Sequence, residues 1–88
     1  MPKPTDAMPA FQPDQVALGR AVQAIRAEKG ISQVQLAAAT GFRQSWISNV
    51  EHGRRNPSWS NVVRLSSGLG VPTSTLVKRA EALADKPS

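Results

Sequence analysis

The stretch SQVQLAAATGFRQSWISNVEHG, Ser32 to Gly53, decides how this chain folds. Ser32 is a good helix N-cap, and Gln35 three residues on completes a capping box, each side chain accepting the other residue's orphan backbone N–H. Leu36 and Ala37 then supply an apolar face, and Gly41 suits a left-handed helix exit because it has no Cβ to clash. A second amphipathic segment follows, with Ile47 and Val50 on one side and Gln44, Ser45, Ser48 and Asn49 on the other. The stretch therefore predicts two short helices joined by a tight glycine turn, the second rich in amides and hydroxyls.

The flanks extend this pattern in both directions. Pro13 is well placed at a first helical position and Asp14 is favourable against the helix dipole. Leu18, Val22 and Ile25 recur at helical spacing and Gly30 supplies the exit, so helix one is expected over Pro13 to Lys29. Helices two and three are expected over Gln33 to Ala39 and Gln44 to Glu51. The run HGRRNPS breaks the pattern, after which Ser58 can cap helix four, carrying Val62, Leu65 and Leu69 and ending at Gly70. Pro72 opens helix five, with Leu76, Ala80 and Leu83 on one face. The expected fold class is all-α: one compact domain of five short helices over about residues 12–84 and no sheet. A proline-rich tail over residues 1–11 and a short tail over residues 85–88 complete the chain.

Composition bounds the function. Eighty-eight residues suit one domain with a small core, and a net charge of +5 favours a polyanionic partner. Charge alone fits a basic protein with no such partner equally well. Without cysteine there is no disulfide and no thiolate metal site. His52 is the only histidine, with no serine or carboxylate pattern around it, so neither a three-ligand metal site nor a catalytic triad can be assembled. His52 is expected to be exposed and idle, and the chain to be no enzyme and to need no metal or cofactor. The opening MPKPTDAMPA lacks an apolar core of signal-peptide type, and no run reaches the length of a membrane span. The expected location is the prokaryotic cytoplasm or nucleoid, with no membrane partner.

A short helix, a glycine turn and a polar-faced helix in this order form a helix-turn-helix pattern over about residues 32–52, which implies sequence-specific binding of double-stranded DNA. From about Leu18 to Glu81 the chain resembles the Xre family of prokaryotic regulators, the Cro/CI type that includes the phage lambda repressor. The likeness lies in LGRAVQAIRAEKGISQVQLA, in WISNVEHG, and in RRNPS followed by LGVP. It implies a lambda-repressor-like five-helix domain whose third helix enters the major groove. It also implies that Gln33 clamps a phosphate and braces the recognition helix, that Arg26 and Glu51 pair beneath the DNA-facing surface, and that Gly53 and the residues after it meet phosphates. The chain departs from the family at Arg43, where a serine or threonine cap is usual; losing that cap costs about 1 kcal/mol. Trp46 stands where a small polar residue is common, and Ser66 and Gly68 replace alanines, which is expected to weaken helix four.

With Ile47 and Val50 inward, the face offered to base edges carries Gln44, Ser45, Ser48 and Asn49; each amide can pair with adenine N6 and N7. Arg43 suits guanine or a phosphate, and Trp46 suits either the core rim or a phosphate or thymine-methyl contact. Arg54 and Arg55, with Asn56, form the densest basic patch and are assigned to phosphates. Trp59 is expected to pack, and Lys78 and Arg79 to be solvated. The expected function is a transcriptional regulator, a repressor binding as a homodimer to a two-fold operator, its dimer contacts supplied by helix five and the adjoining end of helix four through Val77, Ala80 and Leu83. Two alternatives share the DNA contact. One is an antitoxin that binds a toxin protein and its own operator, against which stands the lack of a long acidic or amphipathic tail. The other is a restriction–modification controller protein.

Overall fold

The computed structural model describes residues 11–84, and over that span each predicted apolar periodicity is a helix. In order these are α1 (Phe11–Glu28), α2 (Gln33–Thr40), α3 (Gln44–Glu51), α4 (Trp59–Leu69) and α5 (Thr73–Ala84), with no strand among the described residues. Apart from Phe11, the expected tails lie outside the described residues. Phe11 itself belongs to α1, so the helix starts two residues ahead of Pro13. A proline there removes a first-turn N–H that has no intrahelical acceptor, and the helix passes through it.

Local chemistry sets the ends of the central helices. Ser32 Oγ accepts from Gln35 N at 3.0 Å while Ser32 N donates to Gln35 Oε1 at 2.8 Å, which closes the capping box of α2. Arg43 stands at the N-cap of α3 with extended backbone and no side-chain hydrogen bond, so that helix starts without the stabilisation a hydroxyl would add. Ser58 caps α4 by accepting from Asn61 N at 3.3 Å.

The core joins one face of every helix. Val22 and Ile25 of α1, Leu36 of α2, Ile47 and Val50 of α3, Leu65 and Leu69 of α4 and Leu76 of α5 are all essentially inaccessible. Each such side chain contributes roughly 1.5–3 kcal/mol of transfer free energy. Helix α5 lies along α1 and is also tied to it by charge. Arg79 Nη1 and Nη2 donate to the Glu28 carboxylate at 2.7 and 3.1 Å, and this pairing holds the Glu28 carboxyl below its usual range. Arg79 is thus solvent-exposed, as expected, and also links α5 to α1.

Two other expectations change. Trp59 does not pack inward: 66% of it is exposed at the first turn of α4. Ser66 and Gly68 are not simple weakenings of α4. The buried Ser66 hydroxyl donates to Val63 O at 2.8 Å and meets Thr73 Oγ1 at 2.7 Å, linking α4 to the start of α5. A methyl group at Gly68 would press on Thr40 Cγ2 and on Leu36 Cδ1, at 3.0 Å from the latter, so glycine lets α4 approach α2.

Candidate nucleic-acid interface

Helix α3 is tied to α1 by an ion pair. Arg26 of α1 meets Glu51 at the end of α3 through two parallel bonds, Nε to Oε2 at 2.7 Å and Nη2 to Oε1 at 3.0 Å. The Glu51 side chain is only 2% exposed, and the third guanidinium nitrogen of Arg26, Nη1, donates to Ile31 O at 3.0 Å. Hydrogen bonding to Glu51 raises Arg26 above its ordinary range, so its guanidinium stays charged.

From this pair a chain of amides rises to the surface. Gln33, first residue of α2, donates Nε2 to Glu51 Oε1 at 3.0 Å. A carboxylate only accepts, so Gln33 must turn its oxygen the other way, and there it receives Gln44 Nε2 at 3.4 Å. Gln44 at the head of α3 is thereby oriented with Oε1 and its second N–H uncommitted, the pair that adenine N6 and N7 require.

Ile47 and Val50 fix the inward face of α3, and the other side chains fall around it. Gln44 and Ser45 are exposed, while Ser48 and Asn49 are half-buried. Arg43 is exposed at the near end. Arg54, Arg55 and Asn56 are all exposed in the loop that follows α3. Trp46 sits at the rim of the core, its ring centroid 4.3 Å from that of Phe42, and Arg64 lies over Phe42 at 5.1 Å. Its indole is committed to that stack on one side. His52 is exposed, with Nδ1 2.7 Å from Ser48 O.

Two features of the surface carry no signal that periodicity could supply. Gln15 of α1 donates Nε2 to Gly53 O at 2.7 Å across 38 residues of sequence, bracing the start of the basic loop. Arg54 Nη1 donates to Asn49 Oδ1 at 3.2 Å, so a residue assigned to phosphates touches one assigned to bases.

Comparison with known proteins gives the family of the chain. Residues 17–81 match the profile of the family described as the helix-turn-helix domain. The chain is 42% identical over 53 residues to an HTH-type transcriptional regulator of Sinorhizobium fredii, covering 60% of this chain and 69% of that protein. It is 34% identical over 62 residues to the immunity repressor protein of Bacillus phage phi105, of which it spans only 43%. Among solved structures it is similar to the restriction-modification controller protein C.AhdI from Aeromonas hydrophila, with a TM-score of 0.69 and 35% identity, covering 72% of this chain and 96% of that one.

Proposed function

This chain belongs to the helix-turn-helix domain family in its Xre, or Cro/CI, form and is a DNA-binding transcriptional regulator; we propose that it represses as a homodimer on a two-fold operator, with α3 in the major groove. The observation that carries this reading is the outward face of α3, whose Gln44 is oriented through Gln33 by a partly buried ion pair. Such preorganisation suits an amide that must meet a base edge at fixed angle. Gln44, Ser45, Ser48 and Asn49 read bases, while Arg43, Arg55 and Asn56 meet phosphates along the groove wall and Gln33 adds a phosphate contact from α2. The setting is the prokaryotic cytoplasm or nucleoid; among the described residues no helix is long and apolar enough to cross a membrane.

The two kinds of contact separate by salt dependence. Arg55→Ala is expected to weaken binding to selected and scrambled DNA alike and to shallow the salt slope by roughly one unit. Gln44→Ala is expected to leave that slope nearly unchanged and to cost about 1–3 kcal/mol at particular base pairs. Affinities of both variants on both DNAs at several salt concentrations supply the two quantities. If Gln44→Ala hurts specific and scrambled DNA equally, α3 is not the reading element.

One module of this size offers few base contacts, and a second copy doubles them. The surface for it is the apolar cleft of about 320 Å³ bounded by Leu18, Trp59, Val62, Val77, Ala80 and Glu81, where α1, α4 and α5 meet. An exposed indole beside an apolar cleft on one face is self-complementary, as a two-fold contact requires. Trp59→Ser is expected to shift the sedimenting species from dimer to monomer at micromolar concentration. Leu83→Asp is a poorer probe, because Leu83 also packs on the core. A parent chain that stays monomeric even on DNA would rule the dimer out.

A second reading, the restriction–modification controller, is favoured by one observation: the likeness to C.AhdI spans 96% of that protein, whereas the phage repressor is matched over 43%. Its test is whether the chain binds upstream of neighbouring endonuclease or methyltransferase genes. None of the relatives described above is named for a toxin partner.

A further inference from the structure

His52 shares the outward face of α3. At about 100° per residue it falls beside Ser45, Ser48 and Asn49 and opposite Ile47 and Val50, and it is exposed. As the C-cap residue it stands where α3 passes into the loop that carries Arg54 and Arg55. Arg54 is drawn back over the same turn, with N donating to Asn49 O at 2.8 Å and Nη1 to Asn49 Oδ1 at 3.2 Å. The end of the helix therefore presents an imidazole and a guanidinium together.

One hydrogen bond settles what the ring can offer. Nδ1 lies 2.7 Å from Ser48 O, and a backbone carbonyl only accepts, so Nδ1 carries a hydrogen and donates. Nε2 is then the nitrogen that gains or loses the proton. Neutral, Nε2 is an acceptor; protonated, it is a charged donor. A phosphate offers acceptors only and takes the ring as imidazolium, whereas a base amino group takes it only when neutral. The surroundings favour the phosphate. Arg54 and Arg55 follow in the chain, and Glu51 before it is turned inward onto Arg26. On α1, Gln15 and Val16 abut Gly53 and are uncharged; the charges further along are Arg20, Arg26 and Glu28, the last tied to Arg79. Helix α2 carries no charge, and Arg64 of α4 lies over Phe42. Among the described residues no carboxylate pairs with His52, so an imidazolium there has its charge free for DNA.

We propose that His52 is a proton-linked phosphate contact: DNA binding takes up a proton at Nε2 in each copy, and affinity rises as pH falls. The inference rests on the reading that α3 enters the major groove, and it replaces the expectation that His52 is idle. The sign follows from the donor requirement. Where imidazoles are neutral, at about pH 8, making the contact requires proton uptake and binding is weaker. Where they are protonated, at about pH 5.5, the donor is already in place. A neutral ring accepting from a base would give the opposite sign, because protonation would destroy its acceptor.

The test is the affinity of the full chain for DNA selected from random duplexes and for scrambled DNA, across pH and salt. The variants are His52→Asn, His52→Lys and Gln44→Ala, with a melting curve at each pH to confirm folding. His52 is the only histidine, which makes the assignment of the proton direct. For the parent, Kd is expected to fall about tenfold per bound copy between about pH 8 and about pH 5.5, on both DNAs. The salt slope is expected to be steeper by roughly one unit per copy at the acid end. His52→Asn is expected to bind weakly at every pH. His52→Lys, a permanent cation, is expected to bind at about pH 8 as the parent does at about pH 5.5. A parent affinity that is flat or falls with acidification overturns the proposal, and so does a pH dependence that survives in His52→Asn. If that happens while Gln44→Ala still lowers selectivity, the proposal falls and the major-groove reading stands. If the pH dependence is present but Gln44→Ala leaves selectivity unchanged, the proton-linked contact stands and the base-reading assignment falls.

Discussion

Arg26→Met and Glu51→Leu are each expected to destabilise the domain by about 3–5 kcal/mol, and the double substitution by much less than their sum. The asymmetry follows from where the charges sit. Glu51 has a side chain 2% exposed and accepts from Arg26 Nε and Nη2 and from Gln33. Without Arg26 it keeps a single neutral donor, too little to offset desolvation of a carboxylate. Arg26, at 17% exposure, can lean further toward solvent when Glu51 is gone, so Glu51→Leu is the milder of the two. The double change removes the buried carboxylate together with its half-buried partner and leaves two apolar side chains of comparable size, which is why its cost falls below the sum. A domain this small has a total stability of roughly 5–10 kcal/mol, so the single variants approach the folding threshold. Glu51→Gln, which keeps shape and one acceptor, supplies a variant that stays measurable. Denaturant melts give all the free energies, and strict additivity would rule out direct coupling between the two residues.

The same cycle has a reading in DNA binding. Gln33 takes its orientation from Glu51, and Gln44 takes its own from Gln33. Glu51→Gln replaces an acceptor-only group with one that can flip, and the constraint on both amides is relaxed. Specific affinity is expected to fall more than affinity for scrambled DNA, because a loosened amide still tolerates any base but no longer meets the right one at full strength.

What was legible in the sequence was local. The Ser32 and Gln35 capping box, the Gly41 exit and the Ile47 and Val50 stripe each involve residues a few positions apart, and the boundaries of α3 were read correctly from them. The Arg26 and Glu51 pairing came from family resemblance, since no periodicity links two residues 25 apart. For Trp59, size and apolarity predict burial, whereas its place at the first turn of α4 leaves it outside the core. Sequence gives the exposure of Arg79 but not its pairing with Glu28, which is 51 residues away and brought near only by the docking of α5 on α1. The contact between Arg54 and Asn49 was within reach of a local argument, since a glycine two residues past the helix end announces a reversal that puts the next residue over the last turn. What could not be inferred is how closely two helices approach, because that is a property of surfaces far apart in sequence.

Gly19 shows that limit most sharply, and it carries the second large expected effect. It lies buried in the middle of α1, where alanine would be the better helix former by about 1 kcal/mol. Propensity therefore predicts that Gly19→Ala stabilises. The packing predicts the opposite. A methyl group on Gly19 would overlap the Val50 carbonyl oxygen and come within 3.0 Å of the Glu51 carbonyl oxygen, both part of the α3 backbone. Side chains can rotate away from an added methyl; a helix backbone pinned by Ile47, Val50 and the Arg26–Glu51 pair cannot do so cheaply. Overpacking of this kind costs about 3 kcal/mol, so the net loss after the propensity gain is about 2 kcal/mol, or a fall in Tm of roughly 10 °C for a domain of this length. Gly30→Ala serves as the control: nothing lies within 4 Å of a methyl there, so its cost is confined to the positive φ of 68. Relief of the Gly19→Ala clash would tilt α3 away from α1, disturbing the alignment of Arg26 with Glu51 and lowering specific DNA affinity more than non-specific affinity. A Gly19→Ala protein that melts at or above the parent temperature would mean that α1 and α3 are not held this closely in solution.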